Sequence, residues 1–320
     1  MRKKFYLVLD TETATLPFAN DLCKSAKQKQ KIAIAKPLVY DIGWVIVDRQ
    51  GNIYKKVNYL VQETFFVPNV FNTAYYCDKR PLYMELLEQG KIEPKTWNRI
   101  IKELQEDLDI CDMVTAYNAC FDFKKAIPFT ERYIYHLYRK DYNDWEKGQY
   151  KHCKDLISGT KDDSESNPDF LTPVFKLRKK EYPMCDLWGL ACTKLINIDR
   201  YRNFCLDNDL LTASAIYFKT SAETSFQYLM ADHDFIESHT ALSDAEIESQ
   251  ILLKALKKGK VEPMVIAFPF RELGTTYDYA IDKKKKYIPL VREKIEEYMT
   301  TLSETSNYFS RMANILEMLG

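Results

Sequence analysis

Five consecutive apolar residues, Phe5–Leu9, are followed at once by the acidic residue Asp10. A continuous apolar run of this length is typical of a β-strand buried on both faces, because a strand with one solvated face would alternate apolar and polar residues. Such a strand lies inside a sheet that is covered on both sides, most often by helices. The run therefore predicts an α/β domain in which Asp10 stands at the end of an inner strand.

Two further apolar segments predict strands that pair with the first. Residues 42–47 and residues 53–61 are rich in β-branched and aromatic side chains, and the turn sequence Asp48–Asn52 separates them. Together with residues 5–10 they predict a three-strand meander. Residues 14–38 are mixed, rich in lysine and contain two prolines, so they predict a long loop between the first two strands.

The middle of the chain alternates between helical and extended patterns. Apolar residues recur at helical spacing from Trp97 to Leu108, residues 113–116 form a short apolar segment, and a helix is predicted from about Phe121. This alternation is typical of an α/β domain with a mixed central sheet flanked by helices.

The sequence also predicts where the main domain ends. Ser243 is followed three residues later by a glutamate, which is typical of a capping box at a helix start, and Gly259 is a plausible end of that helix. We therefore predict a domain over residues 1–260, with a large insertion at about residues 130–180. Residues 261–320 are predicted to form a mostly helical C-terminal extension.

Composition excludes several classes of protein. The formal net charge is +0, with 46% hydrophobic and 29% charged residues, which argues against wholesale disorder and against a nonspecific nucleic-acid coating protein. No apolar stretch approaches the roughly 18 residues of a membrane span, and the first apolar run is too short for a signal-peptide core. The eight cysteines include no CxxC pair and are interpreted as free thiols. A cytoplasmic location with no membrane partner is expected.

Acidic residues follow the predicted strands. Asp10 and Glu12 are two residues apart on a strand, so they share a face, and a bound cation would relieve their mutual repulsion. Asp122 follows the strand at residues 113–116, and Asp244 lies in the first turn of the last domain helix. Each acid alone has an ordinary explanation. Asp10 and Glu12 could be solvated residues at a strand end, and the helix dipole stabilises an acidic residue in a first helical turn. His239, five residues before Asp244, would alone be a surface or packing residue.

The order and spacing of these residues resemble a known pattern. D-x-E after the first strand, N-x-x-x-D after a later strand and H-x-x-x-x-D at the last domain helix together resemble the DEDDh branch of the DnaQ-like (RNase T-like) exonuclease superfamily. The segments that carry the resemblance are Leu7–Thr13, Tyr40–Asp48, Tyr117–Asp122, Cys185–Ala191 and His239–Ala245. It covers roughly residues 5–257, interrupted by unusually long stretches. The sister branch has a tyrosine where this chain has Thr240.

The resemblance implies an RNase H-like fold and a metal-dependent 3′–5′ exonuclease that releases 5′-mononucleotides by two-metal-ion hydrolysis. Carried over by position, Asp10, Glu12, Asp122 and Asp244 would bind two divalent metal ions, Mg²⁺ or Mn²⁺. His239 would act as general base, a role that suits a side chain titrating near neutrality. Contacts to the terminal nucleotide are implied for Thr11, Thr13, Ala14, Asn118 and Phe121.

The substrate and pathway are less constrained. The favoured substrate is single-stranded DNA or the 3′ ends of duplex DNA, in replication or repair. The sequence neither indicates nor excludes a polymerase or replication protein as a partner. A 3′–5′ exoribonuclease in RNA processing is the first alternative, because the sequence does not show how a ribose would be recognised. The second is a non-catalytic nucleic-acid-binding or scaffold subunit on an exonuclease fold.

Overall fold

The structure is a computed structural model that divides the chain into two compact units. The described residues are 3–139, 145–158 and 168–320. The first unit comprises Met1–Leu187 and Glu237–Val265, and the second comprises Trp188–Ile236 and Ile266–Gly320. This division differs from the predicted domains, because residues 188–236 group with the C-terminal segment and not with the residues before them.

Within the described residues the first unit contains a mixed, seven-stranded sheet. The strands are β1 (Phe5–Ala14), β2 (Leu38–Asp48), β3 (Ile53–Val61), β4 (Glu93–Lys95), β5 (Met113–Ala116), β6 (Val174–Leu177) and β7 (Lys180–Asp186). Their order across the sheet is β4-β3-β2-β1-β5-β7-β6. Strand β1 is antiparallel to β2 and parallel to β5, and β5 is parallel to β7. The predicted α/β class with a mixed sheet and flanking helices is confirmed.

The predicted meander is present as β1, β2 and β3, paired antiparallel in that order. Every residue of β2 is buried, including Asp41 and Asp48, as the apolar run at residues 42–47 predicts for an inner strand. Both β1 and β2 are longer than predicted, because residues beyond the predicted runs are also paired: Glu12 lies opposite Asp41, and Ala14 lies opposite Leu38. Glu12 and Asp41 belong to the candidate site described below.

Helices cover the strands and connect them. The α-helices of the described residues are α1 (Ala19–Leu22), α2 (Ala26–Ala35), α3 (Gln62–Phe65), α4 (Pro68–Phe71), α5 (Arg80–Glu88), α6 (Trp97–Ile110), α7 (Ile127–Arg139), α8 (Trp145–Ser158), α9 (Leu187–Leu190), α10 (Asp199–Asp207), α11 (Ala222–Met230), α12 (Ala241–Lys258), α13 (Thr276–Asp282), α14 (Ile288–Met299) and α15 (Asn307–Leu319). Short 3₁₀ segments span Cys77–Lys79, Pro168–Leu171, Pro269–Leu273 and Lys285–Tyr287, and π-helical segments span Phe121–Ala126 and Ala191–Leu195. No helix in these described ranges is long and apolar enough to cross a bilayer.

The prediction of a long loop over residues 14–38 is wrong, because the helices α1 and α2 occupy most of this range. Helix α2 begins at an N-cap, Ser25, whose side chain accepts a hydrogen bond from the backbone N–H of Gln28. Its single buried residue is Ile32, so the apolar periodicity that would reveal a helix in the sequence is nearly absent.

The predicted helix at residues 97–108 and strand at 113–116 are confirmed as α6 and β5, and the helix predicted from Phe121 is the π-helical turn that continues into α7. The insertion predicted at about residues 130–180 contains the end of α7, then α8 and β6, while residues 140–144 and 159–167 lie outside the described residues. The segment after residue 260 is helical where it has regular structure.

The N-cap predicted for the last domain helix, Ser243, is three residues too late. Helix α12 begins at Ala241 with Thr240 at the N-cap, and the Thr240 side chain accepts no capping hydrogen bond. The first helical N–H, that of Ala241, is instead donated to the Asp41 carboxylate of β2 at 2.9 Å. A capping partner 200 residues away in sequence leaves no local pattern. The predicted end at Gly259 is confirmed.

Candidate active site

Asp10 and Glu12 lie near the C-terminal end of β1. Asp10 is paired with Gly43, and Glu12 with Asp41, on the neighbouring strand β2. The pairing shifts by one residue immediately after Glu12, so the regular strand changes at the position of the second carboxylate. Because side chains alternate along a strand, Asp10 and Glu12 project from the same face.

Asp122 is held next to β1 by its neighbours. After β5 the chain turns at Asn118, whose φ of 64° is in the left-handed region. The Asp186 carboxylate at the end of β7 accepts hydrogen bonds from the N–H groups of Asn118 and Ala119, at 3.0 and 3.2 Å. The π-helical turn then places Asp122 within reach of Thr11, whose hydroxyl donates to Asp122 Oδ1 at 2.5 Å.

Helix α12 approaches the sheet closely at its first turn. A Cβ atom on Gly43 would lie 2.3 Å from the backbone nitrogen of Leu242, so only glycine fits this position without moving the helix. Beside it, the buried Asp41 carboxylate accepts hydrogen bonds from Ala241 N–H and from the hydroxyl of Tyr83, both at 2.9 Å. Strand β2 therefore positions the helix that carries Asp244.

Asp244 and Glu248 are both buried and lie one turn apart on α12, which places them on the same helix face. Glu248 Oε2 accepts a hydrogen bond from the backbone N–H of Tyr117 at 3.0 Å. Glu248 is not among the site residues predicted from the sequence. Its spacing of four residues from Asp244 is the signal that could have found it.

His239 precedes α12 and has a φ of 51°. The ring of Tyr76 stacks on the imidazole, with centroids 4.4 Å apart and an angle of 15° between the planes. Lys79 Nζ lies 4.3 Å from the Tyr76 ring centroid and donates to the backbone carbonyl oxygen of Ser238 at 2.6 Å. Glu237 Oε2 is 3.7 Å from His239 Nδ1. These contacts fix both the ring and the backbone of the histidine segment.

One close group could bind a metal ion. Within the described parts of the chain, ligand atoms of Glu12, His239 and Asp244 all lie within 4.8 Å of one another. Asp10 and Asp122 lie outside this close group, but Asp10 is near enough to both Asp122 and Asp244 for their charges to raise its pKa. The structure thus brings together all five residues that the sequence predicted for catalysis.

The carboxylates repel one another in a buried setting. Burial raises the pKa of Asp122 to about 7 and the pKa of Asp244 to about 8. Burial, followed by the charges of Glu248 and Asp122, holds the pKa of Asp10 well above its usual range. The positive charge of Lys79 partly opposes this effect at Asp244.

The residues predicted to contact substrate occupy varied positions. Thr11 is only 7% exposed and its hydroxyl is engaged with Asp122. Ala14 is buried in the core, and Phe121 is partly buried against it. Thr13 is half-buried directly after Glu12 on β1, and Asn118 is exposed in the turn before Asp122. Their contact with a nucleotide stays a prediction.

No protein-family model matches the chain, and a search of curated proteins finds no significant match. The interpretation of the site therefore depends on its own residues and geometry.

Proposed function

We propose that this chain is a metal-dependent 3′–5′ exonuclease of the DEDDh type, acting on single-stranded DNA or frayed 3′ ends. The observation that carries the proposal is the convergence of Asp10, Glu12, Asp122, His239 and Asp244, from segments far apart in sequence, into one cluster. The mixed α/β sheet is compatible with the RNase H-like core that the resemblance implies. Chance explains poorly why these five residue types occur together in one cluster.

The residues present fit divalent metal ions. Asp244 Oδ1 is buried and accepts no hydrogen bond from the residues that the structure describes. A buried carboxylate oxygen of this kind is normally satisfied by a cation or a donor. Carboxylates are the ligands that Mg²⁺ and Mn²⁺ prefer, so Asp10, Glu12, Asp122 and Asp244 would hold the ions. When bound, such ions activate water and neutralise charge on the phosphate.

His239 has the environment of a positioned base. The stacked ring of Tyr76 restricts rotation of the imidazole, and the acidic Glu237 beside Nδ1 favours a ring that can hold a proton there. A base oriented in this way would accept the proton of a water molecule as that water attacks the phosphorus. The closeness of His239 to Glu12 and Asp244 also allows direct metal binding, which gives a second role to be separated by experiment.

An oligonucleotide assay tests the reaction. We would incubate 5′-labelled single-stranded DNA and an RNA of the same sequence with Mg²⁺, Mn²⁺ or EDTA, beside the variant Asp10→Asn. We expect a metal-dependent ladder that shortens from the 3′ end and disappears in the variant, because Asn removes a charge that the ions need. The stronger of the two ladders shows whether the enzyme prefers a deoxyribose or a ribose substrate. Binding without cleavage of either strand would favour a scaffold subunit instead.

Two controls make the assay specific. Circular dichroism should show that Asp10→Asn is folded, since the substitution removes a repelling charge and keeps the side-chain shape. His239→Ala should lower turnover by about 10²–10⁴-fold while Mn²⁺ affinity stays close to that of the wild type. Loss of Mn²⁺ binding in His239→Ala would show that the histidine is a ligand and not the base.

A further inference from the structure

Glu248 is an additional acidic residue beside the proposed metal centre. Only 2% of its surface is exposed. It shares one face of α12 with Asp244, and its hydrogen bond from the N–H of Tyr117 connects the helix to the turn before Asp122. The side chain therefore lies between two of the segments that carry the predicted ligands.

The strongest charges that act on the buried Glu248 side chain are negative, those of Asp122 and Asp244, and the backbone N–H of Tyr117 donates a hydrogen bond that only partly offsets them. Among the neighbouring charges, that of Glu248 in turn has the largest influence on Asp10. A glutamate here therefore destabilises the metal-free cluster through like-charge repulsion.

The hydrogen bond to Tyr117 does not account for this charge. A glutamine would accept the same backbone N–H through its amide oxygen and would add no negative charge. The buried Asp244 Oδ1, which no described residue satisfies, independently indicates that a cation belongs among these side chains. A cation would also compensate the charge of Glu248.

We propose that Glu248 supplies a fifth carboxylate to the metal centre formed by Asp10, Glu12, Asp122 and Asp244. The inference rests on the proposed function, since it requires that this cluster binds divalent ions. A fifth carboxylate increases the negative charge that attracts the ions and so raises the affinity of the site. It does so at the cost of stability when the ions are removed.

A titration with Mn²⁺ alone tests the role of Glu248 without a substrate. We would measure Mn²⁺ binding to the full chain by calorimetry and by electron paramagnetic resonance, for the wild type, Glu248→Gln and Glu246→Gln. Glu246 is a matched control, because it lies on the same helix but pairs with Lys56 outside the cluster. We expect Glu248→Gln to weaken Mn²⁺ binding by about 10–100-fold and Glu246→Gln to leave it unchanged.

A thermal melt in EDTA separates this role from a structural one. Glu248→Gln should melt at the same temperature as the wild type or higher, because the hydrogen bond to Tyr117 is kept and a repelling charge is lost. Wild-type Mn²⁺ affinity in Glu248→Gln would overturn the inference. If Asp10→Asn loses Mn²⁺ binding while Glu248→Gln keeps it, only this inference fails. If the wild type binds no Mn²⁺, the proposed function fails as well.

Discussion

Two side chains from another part of the first unit contact the segment that carries His239. Tyr76 stacks on the imidazole, and Lys79 both contacts the Tyr76 ring and donates to the carbonyl oxygen of Ser238. A residue with positive φ, such as His239, keeps its conformation only when its surroundings impose it. Tyr76 and Lys79 are therefore positioning residues for the proposed base.

Tyr76 should affect turnover and not metal affinity. We expect Tyr76→Leu to lower kcat by roughly tenfold to a hundredfold, because a misplaced base loses its alignment with the attacking water. Tyr76→Phe keeps the stacked ring and should keep most of the activity. Steady-state kinetics and Mn²⁺ titration of both variants check this. An unchanged kcat in Tyr76→Leu would mean that the stacking has no catalytic consequence.

Residues with a local pattern could be predicted from the sequence, and residues with distant partners could not. Asp10 and Glu12 follow an apolar strand directly, and Asp122 and Asp244 occur at helix starts, so their order and spacing produce the resemblance that joined them into one predicted site. Glu248 shares helical spacing with Asp244, but its contact with the N–H of Tyr117, 131 residues earlier, has no local signal in the sequence. No periodicity within a short window encodes a contact of that kind.

At the scale of elements, the close approach of α12 to β2 decides where Asp244 and His239 lie. Gly43 lies opposite Asp10 in the sheet and beneath Leu242 in the first turn of the helix. The apolar run at residues 42–47 predicted the strand, but the need for glycine within it comes from the helix packed above. The same packing explains why Asp41, and not a residue of the helix itself, satisfies the first helical N–H.

A methyl group at Gly43 should move α12 away from the sheet. We expect Gly43→Ala to lower the free energy of unfolding by about 1–3 kcal/mol, as overpacking does, and to weaken Mn²⁺ binding. Denaturant unfolding and a Mn²⁺ titration measure the two effects. Gly90→Ala is the control: its φ is 64° and no atom lies within 4 Å of the added carbon. It should cost stability through backbone strain yet leave Mn²⁺ affinity unchanged.

At the scale of the whole molecule, the repelling carboxylates should make metal-free stability depend on pH. The folded-state pKa values of Asp122 and Asp244, about 7 and about 8, are above the ordinary value for aspartate in an unfolded chain. The folded protein therefore binds more protons than the unfolded chain between about pH 4 and pH 8. The free energy of unfolding should fall as pH rises through this window.

Melting temperatures in EDTA at pH 5, 6, 7 and 8 check this expectation. We expect a progressive decrease in the wild type and a weaker dependence in Asp244→Asn, which has one titrating carboxylate fewer. Paired acids such as Asp48 and Asp109, whose pKa values are lowered, are ionised throughout this range and should not contribute to the slope. A melting temperature that rises from pH 5 to pH 8 would contradict the assignment.

The hydrogen bond from the Ala241 N–H to the Asp41 carboxylate has a consequence for how such a chain can evolve. Between β7 and α12 the polypeptide runs through residues 188–236, which belong to the second unit, before it returns to complete the cluster. Because contacts inside the first unit fix the returning helix, a flexible loop within that excursion can be longer at little cost: doubling a flexible connection costs about 0.6 kcal/mol. Evolution could therefore lengthen loops of this segment without rebuilding the proposed metal centre. Such loops are also where a foreign domain could be grafted with least effect on that centre.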